Sequence, residues 1–174
     1  RICKIYLNRT HIRVQLIKMK NQSCDYILND FISFRIMQLS NSLNRQSVRI
    51  LSKYSNLRLP EWRCLTVIIV HGPLHIGKIA DILSSDFGQV SRAVTALVKM
   101  GYVVSERNKK DKRQIKVEVS NLGLEEFEKI MPILRGRQKL LSDSLGNGEY
   151  QVLRSAIEKL RKAIEKFEIN NKAV

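Results

Sequence analysis

Cysteine is scarce in this chain: Cys3, Cys24 and Cys64 are all it has in 174 residues. An odd, sparse set without metal spacing excludes a disulfide framework and suits a reducing cytoplasm. The three histidines, His11, His71 and His75, are not grouped with cysteines or carboxylates in a ligand pattern. His71 and His75 have the i, i+4 spacing of a helical metal pair, but Gly72 and Pro73 lie between them, so no metal site is expected. No apolar run approaches the roughly 18 residues of a spanning helix, which predicts a soluble protein with no membrane partner. There is no glycine-rich phosphate loop, no nucleophile elbow and no His/Asp/Ser grouping, so neither catalysis nor a cofactor is expected. Internal repeats and low-complexity linkers are also missing.

Acid is the other shortage. Lys and Arg number 31 against 16 Asp and Glu, a net charge of +15. Such an excess points to a polyanion partner, nucleic acid first and an anionic membrane surface second. A hydrophobic fraction of 44% is ample for a core, and the length suits one domain, with or without helical extensions for assembly. Residues 1–18 contain no acid and supply five of the fifteen net charges. They are neither a secretory signal, lacking a continuous apolar core, nor serine-rich enough for a transit peptide. Met19 makes a reasonable start, so residues 1–24 read as an N-terminal extension, disordered or non-native.

From about Asp25 the pattern turns helical, with Leu28, Phe31, Ile32, Ile36, Leu39 and Leu43 at spacings of three and four and Ser23 or Asp25 available as caps. A shorter polar helix is expected from Gln46 to Ser55. Leu59-Pro60-Glu61-Trp62 opens another helix, with proline suited to its first turn and Gly72 to its end. The β-branched run Thr66 to Val70 would pass for a strand. Trp62, Leu65 and Ile69 at helical spacing favour a buried helix instead. His75 to Leu83 reads as a short helix with Ile76, Ile79, Ala80 and Leu83 inward.

The next segment, Asp86 to Gly101, organises the chain. Val90, Val94, Leu97 and Val98 form one apolar stripe. Ser85 or Asp86 can cap the start, and Gly101 can end the helix in the left-handed conformation. The opposite face carries Gln89, Ser91, Arg92, Thr95 and Lys99 and no carboxylate. Glutamine can read adenine, arginine can pair bidentately with guanine, and serine and threonine can bond phosphates or bases. A strand (Tyr102 to Glu106), a basic tip (Arg107 to Arg113) and a second strand (Gln114 to Val119) follow. The tip holds five cations, among them Lys109, Lys110, Lys112 and Arg113, and one carboxylate, Asp111. A basic hairpin beside a major-groove helix can enter the minor groove or lie along phosphates. A short helix, a tight turn, a polar helix and a basic hairpin make a winged helix-turn-helix. The expected fold is therefore mainly α with a small β-hairpin wing, plus a helical dimerisation region.

Ser120-Asn121 caps a long helix bearing Leu124, Phe127, Ile130, Leu134 and Leu141, which Pro132 and Gly136 should bend or weaken. After Gly146-Asn147-Gly148 the last helix places Leu153, Ile157, Leu160, Ile164 and Phe167 at steps of four, three, four and three. That heptad seam calls for a partner helix, within the chain or from a second chain.

In this order the elements resemble the MarR family of bacterial transcription regulators, over roughly residues 25–170. The resemblance rests on Leu59-Pro-Glu-Trp62, Ile79-Ala80-Asp81, Gly88-Gln-Val-Ser-Arg-Ala-Val94 and Leu97 to Tyr102. Its most specific piece is Asp111-Lys-Arg113 followed by Val117-Glu-Val-Ser-Asn-Leu-Gly123, similar to the family's Asp-x-Arg wing tip and Leu-Thr-x-x-Gly helix start. Val119-Ser120 here replaces Leu-Thr and keeps one apolar residue and one hydroxyl cap. The resemblance implies a winged helix unit at about 58–120 and dimerisation helices at about 25–57 and 121–172. It implies a homodimer, with Leu28 and Phe31 joining the seam at the interface, binding a palindromic double-stranded DNA operator as a repressor. It also implies release by a small aromatic ligand, an oxidant or a metal, with Phe34, Gln38 and Trp62 near the pocket for an aromatic effector.

Three further readings are weighed. Cys24, near the start of the first helix, invites a redox-sensing role, since a sensing cysteine needs exposure and a lowered pKa of the kind a helix N-terminus favours; Cys64, among Trp62, Leu65 and Val67, reads as inert core. Glu125, Glu126 and Glu128 cluster in the first turns of a helix, where the dipole favours negative charge, so no acid–base role is assigned. A winged helix that binds protein instead of DNA is the remaining alternative, but it would not require cations on both the polar helix and the wing.

Overall fold

The computed structural model describes residues 30–107, 115–146 and 148–171. Among them the elements follow in the order α1 (Ile32–Tyr54), α2 (Leu59–His71), β1 (Leu74–His75), α3 (Ile76–Leu83), α4 (Phe87–Lys99), β2 (Val103–Arg107), β3 (Ile115–Val119), α5 (Asn121–Asp143) and α6 (Glu149–Asn171). The chain divides into two compact units, Arg1–Lys53 and Tyr54–Val174.

In the first unit, α1 corrects an expectation. The stripe ending at Leu43 and the polar stretch from Gln46 are one helix, not two. No glycine or proline interrupts the join, so the backbone ladder runs on. Ser42 and Ser47 donate back to the carbonyls of Gln38 and Leu43 at 3.0 and 2.8 Å, taking the helix's own acceptors and not ending it. Phe31, Ile32, Ile36, Met37 and Leu39 stay exposed. Asp25 and Leu28, where the helix was expected to begin, lie outside the described residues.

The second unit is built around α2. Its β-branched sequence is helical because both ends are fixed and one face is buried. Glu61 accepts from the Arg58 backbone N–H at 2.7 Å and from Arg58 Nε at 2.8 Å, closing the first turn. Gly72, at φ 77°, donates to the Ile68 carbonyl at 3.0 Å and closes the last. Between them Trp62, Cys64, Leu65, Val67 and Ile68 are buried, against strand propensity that would favour the extended chain. Packed with them are Ile79 of α3, Val90, Val94 and Leu97 of α4, Val103 and Val117 of the sheet and Ile130 of α5, all buried. Trp62 stacks on Phe127, ring centroids 5.4 Å apart and planes 15° from parallel.

The sheet is antiparallel in the order β1-β3-β2. Val117 pairs with Leu74 on one side and Ser105 on the other, so the last strand in sequence is the central one. The two-residue β1 has no counterpart in the sequence reading, which began a helix at His75. α5 runs unbroken through Pro132. α6 is exposed along nearly its whole length, with charge pairs from Arg161 to Glu158 and Glu165 on its surface.

Candidate nucleic-acid interface

The helix-turn-helix is set by three local devices. Ser84 ends α3 in the left-handed region at φ 47° and ψ 46°, turning the chain sharply. Asp86 then caps α4, its carboxylate accepting from the Gln89 N–H at 2.9 Å. At the far end, Tyr102 N–H reaches the Leu97 carbonyl and Gly101 N–H the Val98 carbonyl, both at 3.0 Å, with Gly101 at φ 75°. That paired closure needs a residue free to adopt positive φ, and glycine supplies it.

Between the caps, Val90, Ala93, Val94 and Leu97 are buried and hold the helix to α2 and α3. Ala93 belongs to this face and Val98 does not: it is 38% exposed, at the stripe's edge, because the buried arc is centred nearer Leu97. Gln89, Arg92, Thr95 and Lys99 are exposed together and Ser91 is half-buried. Thr95 Oγ1 donates to the Ser91 carbonyl at 2.8 Å, which leaves its oxygen able to accept. Gln89, Arg92, Thr95 and Lys99 of the anticipated face are therefore presented together, with the capping Asp86 the one carboxylate at their N-terminal end.

The wing leaves α4 directly. Its strands are described; its tip is not. Lys109, Lys110, Asp111, Lys112 and Arg113 lie outside the described residues. At the wing's base Ser120 works twice, donating from Oγ to the Gly101 carbonyl at 2.6 Å and accepting from Gly123 N–H at 3.1 Å. Its backbone N–H also meets the Tyr102 carbonyl at 3.0 Å. The start of the wing, its end and the start of α5 are thus tied at one point.

The other expected site residues fall elsewhere. Phe34 is half-buried on α1, and Gln38 lines an open depression with Arg35, Asn41 and Arg45. Trp62 is buried in the second unit. Cys64 is fully buried, and burial, then the nearby Glu61 carboxylate, push its thiol up to about 11. That matches an inert core cysteine; Cys24 lies outside the described residues. Leu153, Ile157, Ile164 and Phe167 are exposed on α6, Leu160 is half-buried, and Phe31 is exposed ahead of α1. Leu28 is not among the described residues. Within those residues no group of three or more His, Cys, Asp or Glu stands together, and no helix is long and apolar enough to cross a membrane.

Residues 57–115, which span α2 to the start of β3, match the MarR family. Over these residues the chain resembles the MarR family. An uncharacterized helix-turn-helix transcriptional regulator from Bacillus cereus is 25% identical over 146 residues, covering 83% of this chain and 97% of its own. Among solved structures, a MarR/EmrR family transcriptional regulator from Acinetobacter sp. ADP1 superimposes with a TM-score of 0.72 at 26% identity, over 77% of this chain and 94% of that one. MepR from S. aureus, solved in complex with DNA, has the same fold at a TM-score of 0.71 and 16% identity, covering 77% and 98%. The chain is a helix-turn-helix transcriptional regulator similar to members of the MarR family.

One exposed residue at the start of α4 was passed over in the sequence. Phe87 opens α4 and is 58% exposed. Its spacing to Val90 and Val94 suggests the core, but a residue at the first helical position projects beyond the turn that would cover it. That end position was the available signal.

Proposed function

We propose that this regulator binds a palindromic DNA operator as a homodimer, acts as a repressor, and releases DNA when a small aromatic effector binds. One observation carries the DNA-binding mode: an exposed face of Gln89, Arg92, Thr95 and Lys99, with no acidic residue within the helix, on a helix whose other face is locked into the core. Such a helix enters the major groove with its polar side against base edges. The basic tip that follows supplies phosphate or minor-groove contacts through Lys109, Lys110, Lys112 and Arg113, with Asp111 holding the tip in shape. The exposed apolar residues of α1 and α6 support dimer formation, since burying them recovers free energy that a single chain forgoes.

A gel shift with duplexes selected from a random library tests the mode. Affinity should fall steeply with salt, as counterion release requires, and sequence preference should persist at high salt. Binding that is indifferent to sequence, or no binding at all, counts against it. For the effector, an aromatic acid that releases the selected duplex should also change Trp62 fluorescence, and release without an optical change places the effector away from Trp62.

A further inference from the structure

The outward face of α4 is polar or cationic, yet the helix begins with a phenyl ring. Phe87 leaves 58% of its surface exposed. An aromatic side chain can bury roughly 150–250 Å², so a ring held in water forgoes a large contribution. In a helix each Cα–Cβ bond tilts toward the N-terminus, so a first-turn side chain reaches past the helix start.

Gly88 follows with no side chain. A Cβ there would stand 3.1 Å from Asp86 Oδ1 and 3.4 Å from Arg92 Nη1. The Arg92 guanidinium therefore lies back along the helix toward the end that carries Phe87. Helix-turn-helix proteins bring this end of the second helix to base edges. The Asp86 carboxylate beside it would repel a phosphate, so this end suits bases better than backbone. Thymine alone among the bases shows an apolar group in the major groove, its 5-methyl.

We propose that Phe87 is a specificity residue that packs against a thymine 5-methyl, next to the base pair read by Arg92. The assignment rests on the reading of α4 as the major-groove helix. Phe87 makes the apolar contact and Arg92 the hydrogen-bonded one, so neighbouring positions of the site are read by different chemistry from one helix end.

The test uses the full chain and a duplex selected from a random library, with each thymine replaced in turn by deoxyuridine, which removes the methyl alone. At one position the wild-type chain should bind deoxyuridine about three- to fivefold more weakly than thymine, the worth of one buried methyl. Phe87→Ala should bind both equally there, and Phe87→Leu should keep part of the preference. Thermal denaturation of both variants should match the wild type, since most of the ring lies outside the core. A wild-type chain that selects sequence but ignores the methyl everywhere overturns the Phe87 assignment and leaves the major-groove reading standing. A chain that selects no sequence overturns both. If Phe87→Ala retains the thymine preference while its melting temperature or oligomeric state changes, the ring covers protein, and the proposal fails.

Discussion

The α-carbon of Gly123 lies against the carbonyl of Tyr102, so that a Cβ at position 123 would stand 2.1 Å from that oxygen. No real Cβ tolerates that distance, and the obstacle is backbone, which cannot rotate away. Gly123→Ala should therefore push α5 off the wing's base and destabilise the fold by about 1–3 kcal/mol. Gly136 lies in the same helix with nothing within 4 Å of an added Cβ. Gly136→Ala should stabilise by up to about 1 kcal/mol, the helix-propensity difference. Thermal denaturation of the two variants checks the opposite signs.

Arg92 and Arg113 should fail differently. Arg92→Ala should cost about 1–3 kcal/mol for a lost bidentate contact and relax preference at one base position. Arg113→Ala should weaken binding to every sequence and make the salt slope shallower by about one unit. Asp111→Ala should weaken binding although it removes a negative charge, if the proposed role of Asp111 in orienting Arg113 holds. Tighter binding by the Asp111 variant would mean that the wing acts only as diffuse charge.

Replacing Leu160 and Ile164 together by Glu should give monomers or aggregate at micromolar concentration, measured by light scattering. Ile164 is 60% exposed and Leu160 half-buried on α6, and neither belongs to the buried core of the chain. An unchanged dimer would move the interface away from the α6 seam.

Cys64 makes stability depend on alkaline pH. Burial, then the Glu61 carboxylate, raise its thiol from 9.0 to about 11. Between those values the unfolded chain has lost its thiol proton while the folded chain keeps it, so the unfolded state gains. Stability contributed by Cys64 is whole below pH 9, declines as pH rises to about 11 and is then fully lost, by up to about 2–3 kcal/mol. Cys64→Ala should flatten that part of the curve relative to wild type in chemical denaturation across pH 8–11. The native thiol should also resist alkylation at pH 8 until the chain unfolds.

What the sequence disclosed and what it hid divide along physical lines. The stripe Val90, Val94, Leu97 was legible because a buried helix face imposes its period on many residues at once. Gly72, Gly101 and the Ser120 cap were legible because each satisfies a local backbone requirement. β1 was not, since two residues carry no period and its pairing depends on a strand over forty residues later. Two helices were expected where α1 is one, because polarity changed at Gln46 and polarity is not a breaker. Phe87 was hidden by its type: an aromatic residue at apolar spacing looks like core until the helix end beside it is placed.

The central position of β3 ties two assembly errors together. A slip of β3 by one residue turns Val117 from the interior to solvent. Because β3 also pairs with Leu74 and His75, the same slip displaces the residue that precedes α3. A misthreaded wing therefore also breaks the pairing with the residue that precedes the first helix of the helix-turn-helix. A chain in that state presents a displaced wing and a loosened start of α3.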